Sequence, residues 1–219
     1  MRLRDTLKLY RFMPSGKKSM YVVLILMCCV FTVGTNIPLG NGMAVGAFLA
    51  LYPITFFLLQ IHTVLVSGVV QSSERSYRAI TKNLAILLGV YNVAAFVIFG
   101  VLRTLLAYGM ETEAGVPAYL AAYCLFQLFL AAYLPFFYKK PVVGYGLLLV
   151  MMFFMMSNNL AELLHALGIA SGLSVGKMLG ITAVVSAVSP FLYYGLSALL
   201  YKYPYSDYIV KRLMRQKSA

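Results

Sequence analysis

The chain has 219 residues, of which 62% are hydrophobic and 11% charged, with a net charge of +12 and a mean hydropathy of +0.84. A soluble domain carries about a quarter charged residues, so an ordinary water-soluble globule is excluded. The positive balance needs no nucleic-acid partner: it is read as membrane orientation plus attraction to anionic inner-leaflet lipid.

Residues 3–13 come first. Leu3, Thr6, Leu7, Tyr10 and Met13 share one helical face, and Arg4, Lys8 and Arg11 form a basic stripe on another. That pattern predicts an interfacial helix lying among headgroups, ended by Pro14-Ser15-Gly16. Six apolar runs follow, at 19–37, 45–70, 84–108, 117–138, 141–156 and 178–201. Crossing a bilayer takes about 20 residues at about 1.5 Å each, which most of these runs supply. The first run starts too late and is too long for the apolar core of a signal peptide.

Sixteen of the eighteen Lys and Arg residues fall in alternate gaps between the runs. They are Arg2, Arg4, Lys8, Arg11, Lys17 and Lys18 before the first run; Arg75, Arg78 and Lys82 in the second gap; Lys139 and Lys140 in the fourth; and Lys202, Lys211, Arg212, Arg215 and Lys217 in the tail. Only Arg103 and Lys177 lie near the other gaps. Positive charge stays on the cytoplasmic side. The expected fold class is therefore all-α: a polytopic membrane protein of six transmembrane helices with both termini cytoplasmic, in the plasma membrane. The whole chain, 1–219, is expected to be one transmembrane domain. Its parts are a cytosolic interfacial segment (1–18), a cytosolic loop (72–83), an outer segment (157–176) and a cytosolic tail (202–219).

Pro53, Pro135 and Pro190 lie inside runs, whereas Pro117 and Pro141 suit first helical turns. Tyrosines crowd the cytosolic ends, among them Tyr77, Tyr138, Tyr201 and Tyr203; with no tryptophan in the chain they supply the aromatic belt. The fifth run, 141–156, spans only about 24 Å as a helix, short for a crossing. Ser157-Asn158-Asn159 and the segment from Leu160 to Gly168 follow it. Leu160, Leu163, Leu164 and Leu167 make one apolar stripe there, which predicts a short outer helix, re-entrant or lying at the interface.

Candidate chemistry is sparse. Gly172-Leu173-Ser174-Val175-Gly176-Lys177 has three residues between its glycines rather than four and is followed by Met178, so it is not a phosphate loop. Glu162 and His165 are spaced like metal ligands, but the chain has only one other histidine, His62, in a different run, and no metal site is expected. Cys28, Cys29 and Cys124 are read as packing residues. Ser67, Ser186 and Ser189 have no nucleophile elbow beside them and are read as packing or interhelical hydrogen-bonding groups. No catalytic residue and no cofactor is expected. Gln60, His62, Gln71, Asn92 and Gln127 are polar residues in or beside the runs; they either line a translocation path or bond neighbouring helices. The 72–83 loop, with mixed charge and one aromatic, predicts a short helix along the membrane that docks into a cytosolic partner, or else a solvated basic turn.

The order of these parts resembles the type-2 permeases of ATP-binding cassette exporters: an interfacial helix (3–13), six spans, a coupling helix between spans two and three (72–83), and short outer helices between spans five and six (157–172). The resemblance covers the whole chain and rests on architecture. It implies a transport subunit that is not itself an enzyme, working with a separate cytosolic ATPase and a second permease subunit to export a lipid, peptide or drug. It further implies that Ser73, Glu74, Arg75, Tyr77 and Arg78 contact the ATPase, that Gln60, His62, Asn92 and Gln127 lie along the path, and that Glu162, Leu163, Leu164 and His165 form an outer gate. The rival expectations are the substrate-binding component of a vitamin-type importer and an intramembrane enzyme.

Overall fold

The computed structural model describes residues 43–65, 76–101, 115–156 and 174–204, together with Thr6, Val22, Val23, Leu26, Met27, Val30, Thr104 and Leu105. The described residues are almost wholly helical, and no strand occurs among them. Helix α1 is Met43–Leu65 and α2 is the continuous helix Ser76–Val101. Helices α3, α4 and α5 are Gly115–Lys139, Pro141–Met156 and Val175–Tyr201. They correspond to the second through sixth apolar runs. Three helices, Ser76–Val101, Val116–Lys139 within α3, and Val175–Tyr201, are long and apolar enough to cross a membrane. Gly46–Leu59 and Pro141–Phe153 are shorter apolar helices. The expected first span and the outer segment 157–172 fall outside the described residues, apart from five positions between Val22 and Val30, which are exposed.

Helix α3 is the hub. Its most apolar stretch is 67% buried, against 33% for α2 and 28% for α5, and it packs on α1, α4 and α5. Tyr119, Leu120, Tyr123, Phe126, Ala131 and Leu134 fill the interior from α3, meeting Leu58 and Ile61 of α1 and Leu88 of α2. Between their ends, α2, α4 and α5 also expose large apolar side chains, with Val90, Leu149 and Phe191 projecting outward. In water such a surface would be a liability, whereas in hydrocarbon it costs nothing.

Cross-helix contacts fix the helix directions. Phe48 meets Phe126 and Tyr138 reaches Leu59, so α1 and α3 run parallel. Cys124 and Gln127 meet Thr182 and Ser186 in the same order, so α5 runs with them. Tyr91 reaches back to Ala50, and Tyr193 to Ile80, so α2 is antiparallel to α1 and α5. Lys140 alone separates α3 from α4, and Gly144 sits against the backbone of Phe137, so α4 folds straight back along α3. This up-and-down order brings Arg78, Lys82, Lys139, Lys140 and Lys202 to one end of the bundle and Lys177 to the other. No acidic side chain occurs among the described residues.

One expectation is corrected. Within the expected 72–83 segment, residues 76–83 are helical but continuous with the rest of α2 rather than separate, so that helix is described from eight residues before the predicted 84; residues 72–75 lie outside the described residues. The polar residues that suggested a loop are used inside the bundle. Ser76, Thr81 and Asn83 are buried, and the amide of Asn83 donates to Thr6 Oγ1 at 2.7 Å.

Candidate functional site

Two neighbouring regions hold most of the described polar residues that join helices: a buried seam along α5 and the basic end of the bundle. On α5 the buried residues include Thr182, Ser186, Ser189, Tyr193 and Ser197. Their spacings of three or four put them on one helical stripe. Small side chains there let neighbouring helices approach closely, and in hydrocarbon their hydroxyls need internal partners.

Helices α2 and α3 supply partners for Thr182, Ser186, Ser189 and Tyr193, while the Ser197 hydroxyl is buried without one among the described residues. Cys124 Sγ donates to Thr182 Oγ1 at 3.3 Å, and that hydroxyl donates to Met178 O at 2.7 Å. Gln127 Nε2 donates to Ser186 Oγ at 3.0 Å, and the serine hydroxyl lies 3.2 Å from Gln127 Oε1, so the pair can exchange bonds in both senses. Asn92 Nδ2 donates to Ser189 Oγ at 2.8 Å. Asn92 Oδ1 is buried without a partner. Where α2 crosses α5, Gly89 leaves room for the Pro190 ring, whose Cγ would lie 3.0 Å from an added Cβ.

Of the residues expected along a path, His62, Asn92 and Gln127 are buried on helix seams of this chain. Asn92 and Gln127 both address α5, a turn apart along it. His62 lies elsewhere, between α1 and α3. It stacks on Tyr138 with centroids 4.7 Å apart and planes 8° from parallel, and its Nδ1 is 3.3 Å from Leu58 O, which places a proton on that nitrogen. Tyr138 in turn donates to Leu59 O at 2.7 Å. Gln60 belongs to α1 by its backbone. Among the described residues, no three metal-ligating side chains come together.

At the basic end, Tyr77 and Arg78 are exposed on the first turn of α2. Ser73, Glu74 and Arg75 lie outside the described residues, as do Glu162, Leu163, Leu164 and His165. That first turn is fastened to α5. Ser76 Oγ and Tyr201 OH are 2.8 Å apart, the Tyr77 and Tyr201 rings meet edge-on at 4.8 Å, and Tyr193 OH donates to Ile80 O at 3.2 Å. Tyr201 is also approached by Lys139, whose Nζ lies 5.6 Å from the ring centroid and donates to Tyr203 O at 2.7 Å.

Helix α2 is wound wide twice, as π-helix over Ala79–Asn83 and over Phe96–Val101. Such turns displace carbonyls from ordinary helical pairing and recur at functional positions. Here Ile80 O in the first wide segment takes the Tyr193 hydroxyl and Gly100 O in the second takes Thr104 Oγ1 at 2.8 Å, while Thr81 Oγ1 donates to Tyr77 O at 2.7 Å.

Ser186 and Ser189 are interhelical hydrogen-bonding groups, one of the two roles expected of them. The extension of their stripe to Thr182, Tyr193 and Ser197, at helical spacing in the same run, was the signal missed in the sequence. The links from Ser76 to Tyr201 and from Tyr193 to Ile80 left no local signal at all. Comparison of the chain with protein-family models, curated proteins and solved structures found no match.

Proposed function

We propose that this chain is the membrane-embedded subunit of a transporter, of the kind found in ATP-binding cassette exporters. In this reading it spans the plasma membrane six times with both termini in the cytosol. It pairs with a second permease subunit and takes its energy from a separate cytosolic ATPase. The observation that carries the reading is the first turn of α2. One side exposes Tyr77 and Arg78, with Lys82 also exposed a turn further on, while Ser76, Ile80 and Asn83 are tied to Tyr201, Tyr193 and Thr6.

An exposed helix end tied to its neighbours can act as a lever. A partner pressing on Tyr77 and Arg78 would move α2 and α5 together rather than bending a loose loop. The motion would reach the Asn92–Ser189 contact, where an amide oxygen without a partner makes a change of pairing inexpensive. Wide turns on either side of the α-helical stretch Leu84–Ala95 give α2 places to take up such a shift.

The test is purification of the full chain from its native membrane with a photo-crosslinking residue at position 78. Capture of an ATPase subunit, and loss of ATP-driven transport in an Arg78→Glu variant, are the expected results. A chain that is crosslinked only to lipid and purifies without an ATPase would overturn the proposal.

A further inference from the structure

The basic end has a construction that an ATPase contact does not require. The α3–α4 turn and the end of α5 are held together by lysine–tyrosine contacts: Lys139 Nζ on Tyr203 O at 2.7 Å and over the Tyr201 ring, and Lys140 Nζ over the Tyr203 ring at 4.6 Å. Lys202 lies between the two tyrosines in sequence and is exposed, as is Lys140. Three lysines thus share one small surface formed by two segments that are 62 residues or more apart in sequence.

No carboxylate among the described residues offsets them. Lys139 is held on a carbonyl and near a ring face and Lys140 on a ring face, neutral partners that fix a cation's place without cancelling its charge. Immediately beside the lysines the surface turns fully apolar. Val142 is 84% exposed and Leu199 68%, with Val143 also exposed. Val142 is two residues beyond Lys140, and Leu199 three residues before Lys202.

We propose that this end of the bundle is a binding site for an anionic phospholipid. Lys140 and Lys202 face the headgroup phosphate, Lys139 organises the site through Tyr201 and Tyr203, and Val142 and Leu199 lie against the acyl chains. The adjoining positive and apolar surfaces select this ligand. A free phosphate would use only the first, and a zwitterionic lipid would bring its own cation to the lysines. The site requires that the bundle sit in a bilayer and is independent of any transport.

Native mass spectrometry of the full chain, with phosphatidylglycerol and phosphatidylcholine in equal amounts, tests it. Retention of phosphatidylglycerol in clear preference is expected. Lysines near an anionic surface contribute on the scale of about fivefold in affinity each. The Lys140→Gln/Lys202→Gln variant, which leaves the Lys139–Tyr203 bond in place, should therefore lose the preference by about an order of magnitude or more. Lys177→Gln, at the opposite end, should keep it. Equal retention of the two lipids, or an unchanged preference in the double variant, overturns the proposal. So does displacement of phosphatidylglycerol by inorganic phosphate alone, which would mark an anion site without a lipid component.

Discussion

Ser76 and Tyr201 bring their hydroxyls to 2.8 Å across 125 residues of chain, pinning the first turn of α2 to the last residue of α5. A hydrogen bond of this kind contributes about 1 kcal/mol net. Ser76→Ala and Tyr201→Phe should each destabilise the bundle by about that amount, and the double variant should cost little more than either single one. Unfolding of all three variants in a mild detergent measures this. Fully additive losses would mean that the two groups are not coupled.

The α3–α4 turn predicts opposite signs for two glycines. A Cβ at Gly144 would lie 2.8 Å from Phe137 Cα, a backbone atom that cannot turn aside, while one at Gly146 meets nothing within 4 Å. Gly144→Ala should cost about 1–3 kcal/mol through overpacking. Gly146→Ala should be neutral or stabilising by up to about 1 kcal/mol, because alanine is the better helix former. Thermal unfolding of the two variants decides it, and equal shifts would argue against the tight turn.

Along α5 the amide–hydroxyl pairs should be energetically coupled. Double-mutant cycles for Gln127→Ala with Ser186→Ala, and for Asn92→Ala with Ser189→Ala, should give interaction energies of about 0.5–2 kcal/mol each. The Gln127 pair, with contacts in both directions, should give the larger value. Zero coupling in both cycles would leave α5 held by packing alone.

Accessibility tests the orientation. With the native cysteines replaced, single cysteines in place of Arg78 and Lys140 should react with an impermeant thiol reagent from the cytosolic side only. One in place of Lys177, at the other end of the bundle, should react from outside only. Labelling of position 140 in intact cells would reverse the arrangement.

Much of this fold could be read from the chain. The described part of each apolar run from the second to the sixth is helical, and α4 begins at the predicted Pro141. The alternation of charge agrees with the up-and-down packing, because successive helices of a bundle must present their ends on alternate sides. The start of α2 was not legible. Ser76 to Asn83 reads as a short separate helix or a basic turn until Tyr201 and Thr6 are seen to take up Ser76 and Asn83, and local pattern carries no trace of partners so distant in sequence. Asn92 and Gln127 stood out as polar residues in apolar runs. Ser186 and Ser189 stood out as hydrogen-bonding or packing serines, but which amide each one meets did not, because pairing depends on helix register.

The single-residue turn at Lys140 has a consequence for how the chain enters a bilayer. Alone, α4 is about 24 Å long and falls short of the hydrocarbon thickness. Joined to α3 through one residue, with Gly144 against Phe137, it has no freedom to partition separately. The two helices should leave the translocon as one hairpin, the longer carrying the shorter. A fragment ending at Met156 should integrate stably, and α4 fused by itself to a reporter should slip back into water.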